Sequence, residues 1–159
     1  MKPLSLFLIF FLIVSCKDNK KTTVKPIEIS FSKEAELVFY NENDTIVNLD
    51  IEIAESDYEQ QTGLMHRSEM EMNQGMLFIY ADERPRPNFY MKNTKIPLDL
   101  IYINASKQVV EIKKNAKPLD ETPIGAKQPA KYVLEVNAGF ADKYDINTDL
   151  YINFKILDK

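Results

Sequence analysis

Two acids in this chain occupy strand positions where apolar side chains are the rule. In Leu98-Asp99-Leu100-Ile101-Tyr102-Ile103 the even positions share one strand face, and Asp99 shares the other with Ile101 and Ile103. In the stretch from Tyr132 to Asn137 the pattern repeats: Val133, Glu135 and Asn137 lie opposite Tyr132, Leu134 and Val136. A carboxylate on an apolar surface needs a partner, or its pKa rises until it is neutral. Arg67 and Lys92 are the cations that could serve. Asp99 and Glu135 could act as acid and base on a glycosidic bond if ~5–9 Å apart, with Arg67 holding an anionic or polar substrate. Alternatively, Arg67, Asp99 and Glu135 form an ion-paired cluster that pins a helix to a sheet, or a ligand site without chemistry. The expected arrangement is Arg67 paired with Asp99 or Glu135, and the structural role is the preferred reading.

A second candidate is the segment Phe89-Tyr90-Met91-Lys92-Asn93-Thr94. Asn and Thr satisfy backbone groups in turns, and Pro97 pushes Ile96 into an extended conformation, so a tight connection suffices to explain it. The functional alternative is a binding rim formed by Tyr90, Lys92, Asn93 and Thr94, together with Asn137; loops held by rigid sheets collect such residues. Met65, His66, Met70 and Met72 invite a Cu(I) reading. Met65 and Met76 read better as core residues, however, since Met fills gaps between apolar neighbours. His66 is the single histidine, which leaves zinc little to bind. No metal and no cofactor is expected. A Gly-rich phosphate loop and a serine-nucleophile elbow are also absent from the sequence.

The elements that must position these residues are mostly strands. Val47, Leu49, Ile51 and Ile53 alternate with Asn48, Asp50 and Glu52, and Leu150, Ile152, Phe154 and Ile156 alternate with Tyr151, Asn153 and Lys155. Half-buried antiparallel strands give this pattern. Ala35, Leu37 and Phe39 precede the polar turn Asn41-Glu42-Asn43-Asp44, which predicts a hairpin between the first two strands. The residues from Met76 to Tyr80 are apolar and should be covered on both faces. Asn104-Ala105-Ser106-Lys107 reads as a turn between strands over 98–103 and 108–113. Ser56-x-x-Glu59 is a capping box and predicts a helix with Tyr58, Gln61 or Thr62, and Met65 on one face, ending at Arg67. A helical turn is expected over 140–144. The fold class is mainly β, a β-sandwich, jelly-roll-like or partly closed barrel, with one or two short helices.

The chain opens with an address. Lys2 is followed by an uninterrupted apolar run over 6–14, too short for a helix that crosses ~30 Å of hydrocarbon. The run ends in Ile13-Val14-Ser15-Cys16, which resembles a bacterial lipobox. Residues 1–15 are therefore read as a lipoprotein signal peptide and Cys16 as the lipidated residue. Cys16 is the sole cysteine, so its acylation leaves no thiol for a disulfide, a nucleophile or a metal site. Residues 16–26 carry the lipidated cysteine and a lysine-rich tether, and 27–159 form one domain. The expected partners are the membrane, through the lipid, and a small molecule or an envelope protein. Asp18 is not adjacent to Cys16, so the retention signal at that position is absent and the outer membrane is favoured over the inner. Removing Lys2 with the signal takes the formal charge from −4 to −5. An acidic domain without a basic patch argues against nucleic acid.

Four motifs occur in one order: Thr62-Gly63-Leu64-Met65-His66-Arg67, Gly75-Met76-Leu77-Phe78, the run from Phe89 to Ile103, and Val133-Leu134-Glu135-Val136-Asn137-Ala138-Gly139. Together they closely resemble the domain-of-unknown-function family 192, also called uncharacterised protein family 0127, over about residues 46–156. The resemblance implies a compact jelly-roll-like β domain and no defined activity. The expected function is an envelope lipoprotein that binds a small ligand or an envelope partner. The alternatives are a glycan-acting hydrolase or lyase using Asp99 and Glu135, and a purely structural or assembly lipoprotein.

Overall fold

The alternating segments pair as their period requires. In the computed structural model, which describes residues 29–158, β1 (Ala35–Tyr40) and β2 (Thr45–Ala54) form an antiparallel hairpin, with Leu37 opposite Leu49 and Ala35 opposite Ile51. The side-chain oxygen of Asn41 accepts the N–H groups of Asn43 and Asp44 at 2.9 and 2.8 Å. That local bonding is what suits Asn to turns. On its other edge β1 pairs with β7 (Tyr151–Ile156).

The capping box starts α1 (Asp57–Thr62): Glu59 donates its N–H to Ser56 Oγ at 3.3 Å and accepts the Ser56 N–H at 2.9 Å. The helix is shorter than the sequence pattern predicts. Gly63, at φ 45°, donates its N–H to Glu59 at 2.8 Å and ends it. No α1 residue is buried, and Tyr58 is 75% exposed, so the helix ends before Met65 and the face expected to carry Tyr58, Gln61 or Thr62, and Met65 is not a buried one. Arg67 therefore lies beyond the helix, after a turn in which His66 takes φ 66°.

β3 (Gln74–Pro85) runs parallel to β2, with Ile51 beside Gly75 and Ile53 beside Leu77. This departs from the antiparallel expectation. A parallel pair needs a crossover connection, and α1 with the loop after it supplies one. β6 (Pro129–Asn137), β4 (Leu98–Ile103) and β5 (Val109–Ala116) complete a seven-stranded sheet in the order β5-β4-β6-β3-β2-β1-β7. The sheet curls until its two edges touch at one end. Val109 donates to Leu150 at 3.0 Å and Ile152 to Lys107 at 2.8 Å, around an isolated bridge between Gln108 and Tyr151. Since this is one bridge and no ladder, the barrel is only partly closed. The protein is mainly β, as expected.

Both faces of the central strands are covered, and all six residues of β4 are buried. On one face Leu37, Phe39, Ile51, Leu77, Ile101, Leu134 and Val136 pack with Phe140 and Ala141 of α2 (Phe140–Lys143). On the other, Met76, Phe78, Leu100, Tyr102 and Val133 pack beneath Leu64, Met91, Ile96 and Ala126 from the loops. Each such side chain contributes roughly 1.5–3 kcal/mol when fully buried. Among the described residues no helix is long and apolar enough to cross a membrane. The expected signal peptide, the expected lipidation at Cys16 and the expected tether fall outside the described residues.

Candidate functional site

The register between β4 and β6 decides how the two acids relate. Leu100 stands opposite Glu135 and Asp99 opposite Val136. Side chains alternate across a strand, so Asp99 lies on the face of Ile101, Leu134 and Val136, and Glu135 on the face of Leu100, Tyr102 and Val133. The acid/base pair read from sequence therefore does not form: the two carboxyls point to opposite sides of the sheet and cannot converge on one bond. Asp99 is fully buried and accepts three backbone N–H groups, from Asn115 at 2.8 Å and from Gly139 and Ala141 at 3.0 Å each. Its partners are peptide groups at the start of α2 and in β5. It is a structural acid.

Arg67 is paired with neither. Its Nη2 lies 2.7 Å from Glu52 Oε2, with both side chains more than nine-tenths buried. The expected partner was Asp99 or Glu135, and Glu52 was expected on a solvated strand face. Parallel pairing sets Glu52 beside Met76, and the 63–70 loop brings Arg67 over it, so that end of β2 is covered on both sides. The contact is ionic with poor hydrogen-bond alignment, and Arg67 Nε and Glu52 Oε2 have no hydrogen-bond partner among the described residues. Glu52 Oε1 also accepts the Ser32 N–H at 3.0 Å. Arg67 is thus ion-paired with a different acid, and the pair ties the loop after α1, not a helix, to the sheet.

Glu135 remains. It is 6% exposed, and no hydrogen bond or ion pair reaches its carboxyl among the described residues. Burial alone pushes its pKa from the ordinary 4.5 up to about 8. Glu135 faces a cavity of about 430 Å³ between α1 and the segment that follows β3. Such a volume falls within the range of small-molecule pockets. Gly63 lies over the carboxyl: a Cβ there would sit 2.9 Å from Phe78 Cζ and 3.7 Å from Glu135 Oε2. At φ 45° the backbone also disfavours a side chain. Glycine keeps this part of the cavity open.

The walls are held rigidly. Gln60 Nε2 donates to the Ile79 carbonyl at 2.8 Å, tying α1 to β3. Phe89 stands edge-on to Phe78, with centroids 5.3 Å apart, and to Tyr102 at 5.9 Å, and Ile124 donates to its carbonyl at 2.6 Å. Arg86 is buried, with Nε on the Ala130 carbonyl at 3.1 Å and Nη2 on Asp82 Oδ1 at 3.0 Å and on the Asp82 carbonyl. Its guanidinium lies 3.8 Å from the centroid of Tyr80. Burial raises the Tyr80 hydroxyl to about 12, against the opposing pull of Arg86. The Arg86 hydrogen bond holds the Asp82 carboxyl below its ordinary value.

Of the expected rim, Tyr90 and Thr94 line this cavity, whereas Lys92, Asn93 and Asn137 do not. Lys92 and Asn93 occupy an exposed turn, with Asn93 at φ 57° and Thr94 donating to Met91 at 3.1 Å. Asn137 spends its amide on the carbonyls of Met70 and Glu71 at 2.6 and 3.0 Å, pinning the loop before β3. Sequence reasoning missed Glu52, Tyr80 and Arg86. The only prior trace of Arg86 was its place between Pro85 and Pro87, beside an apolar strand. His66 is exposed, and no group of three or more His, Cys, Asp or Glu side chains suited to a metal occurs among the described residues.

A curled, mainly antiparallel sheet with one parallel crossover and a cavity over β3 and β6 defines a class that has been seen before. The chain belongs to the DUF192 family, described as an uncharacterized ACR, whose model matches residues 37–154. It is similar to a crystal structure from Sinorhizobium meliloti 1021, provisionally named a transcription regulator, with 32% identity and a TM-score of 0.72 over 80% of this chain and 97% of that one. A protein of unknown function from Novosphingobium aromaticivorans DSM 12444 is 33% identical with a TM-score of 0.67, over 74% of this chain and 83% of that one. No curated protein matches.

Proposed function

We propose that this is a lipid-anchored protein of the bacterial envelope, favouring the outer membrane, whose β domain binds a small ligand in the cavity beside Glu135. The observation that carries the binding reading is Glu135 itself, a nearly buried carboxyl with no partner among the described residues, facing about 430 Å³ of space. The carboxyl opens onto the cavity, where a ligand with a donor would supply the hydrogen bond that no described residue makes. Asp99 and Glu52 are acids of similar burial, and both have partners. The lipobox-like Ile13-Val14-Ser15-Cys16 supports the anchor. The regulator name of the Sinorhizobium protein is not extended to this chain, because a net charge of −4 opposes a phosphate backbone.

A thermal-shift screen of small molecules on the full chain in detergent tests the binding reading. Ligands that bind the native state raise Tm in proportion to ln(1 + [L]/Kd). The exposed Asn88 lines the cavity, and Asn88→Trp would fill its mouth. Hits abolished by Asn88→Trp support the reading. Hits unaffected by it, or a screen without hits, would refute it.

A further inference from the structure

We infer that the cavity takes a small organic cation, an ammonium group paired with Glu135 whose hydrocarbon lies against Phe78, Phe89 and Tyr90. This inference rests on the cavity being the binding site proposed above. The walls divide into groups already engaged and groups still free. Arg84 and Arg86 both line the cavity, but both contact Asp82, at 3.6 and 3.0 Å, and Arg86 also has a carbonyl and the Tyr80 ring. Both arginines thus face Asp82, whereas no cation among the described residues pairs with the carboxyl of Glu135. Around that carboxyl, β3 contributes Tyr80, β4 contributes Tyr102, and Gly63 and Leu64 after α1 add no charge. Tyr102 gives its hydroxyl to Ile124 at 3.1 Å.

An anion would meet Glu135 as a repelling charge or would have to keep it protonated. A neutral polyol could bond to it but would gain no charge pairing. A cation pairs with it and also gains from the aromatic walls, whose ring faces attract positive charge. Charge-assisted hydrogen bonds are about twice as strong as neutral ones, so an ammonium donor turns the unpartnered acid into the strongest contact in the cavity. The raised pKa of Glu135 adds that, near pH 7, cation binding should expel its proton.

The test uses one carbon skeleton with three head groups. Phenethylamine, 2-phenylethanol and phenylacetate are titrated calorimetrically into the full chain in detergent at pH 7, in buffers of different ionisation heat. Phenethylamine is expected to bind about tenfold or more tightly than the alcohol, with phenylacetate weakest. It should release a proton into the buffer, and Glu135→Gln should cost about tenfold in its affinity alone. Equal affinity of amine and alcohol would overturn the charge pairing. Tighter binding of phenylacetate would overturn the cation class while leaving the cavity as a binding site. If all three are silent and the library screen yields another ligand, the cation class again fails and the binding reading survives; if both are silent, both fall. Should Glu135→Gln not fold, the three head groups on the wild-type chain decide alone.

Discussion

Asp99 and Glu135 are buried on opposite faces of the same sheet, one residue out of step across the β4–β6 ladder. Asp99 accepts three backbone N–H groups, and among the described residues no hydrogen bond reaches the Glu135 carboxyl. The chain thus carries two acids with similar sequence surroundings and different physical situations. One is neutralised by oriented peptide groups and fixes α2 against the sheet. The other is desolvated without compensation and borders empty space.

Asp99→Asn should destabilise the domain strongly. An amide keeps one acceptor oxygen and turns an NH₂ group toward peptide N–H donors, where the carboxylate accepts three bonds. Bonds to a charged acceptor are worth about 1.5–3 kcal/mol each, and buried donors left unpaired add their own cost. A loss of roughly 3–5 kcal/mol in urea unfolding is expected. A loss below about 1 kcal/mol would show that the three bonds are not needed to hold α2.

Local patterns were legible in the sequence, and pairings across distance were not. The Asn41 turn, the Ser56–Glu59 cap and the two-sided burial that begins at Met76 depend on neighbours in the chain, and all formed as read. Parallel pairing of β2 and β3 depends on a crossover, which periodicity does not encode. The relation of Asp99 to Glu135 depends on register, and a slip of one residue would have put both on one face. The same blindness hid the partner of Arg67. Glu52 carries the parity of Asn48 and Asp50, and only the folded loop shows that its end of the strand is covered. Glu135 was visible as an anomaly, but the cavity beside it is made by Gly63 after α1 and by Arg86 and Phe89 after β3, two segments far from it in the chain.

Arg67→Met alone should cost about 3–5 kcal/mol, because Glu52 would be left buried and unpaired. Replacing both, as Arg67→Met with Glu52→Leu, should recover much of the loss, less the Ser32 bond to Glu52. A double-mutant cycle from chemical denaturation measures this coupling. Additive single effects would mean that the 2.7 Å contact is not an energetic pair.

Cys16→Ser should abolish lipid attachment and move the protein out of the membrane fraction as uncleaved precursor. Serine lacks the thiolate that accepts the diacylglyceryl group, and the chain has no other cysteine. Radiolabelled palmitate should enter the wild type and not the variant. Equal labelling of both would dismiss the anchor.

Glu135 should make the domain less stable as pH rises, the reverse of the usual behaviour of a native carboxyl. Its pKa is about 8 when folded and about 4.5 when the chain is unfolded and solvated. Between those values the native state holds a proton that the unfolded state has released, so stability falls with increasing pH. The contribution is complete below about pH 4.5 and is lost as pH passes through the window to about 8. The full difference amounts to at most about 5 kcal/mol, and water entering the cavity on ionisation would reduce it. Asp82, Glu111 and Asp120, whose pKa values are lowered, act with the opposite sign and only below their ordinary range, outside this window. Urea unfolding at pH 5 and pH 8 should therefore show a fall of at least about 1–2 kcal/mol for the wild type. Glu135→Gln, which keeps the shape and cannot ionise, should be nearly flat over the same range and more stable than the wild type at pH 8. An identical pH slope in both proteins would mean that Glu135 already has a partner or is solvated. Its place as the free acid of the cavity would then be lost.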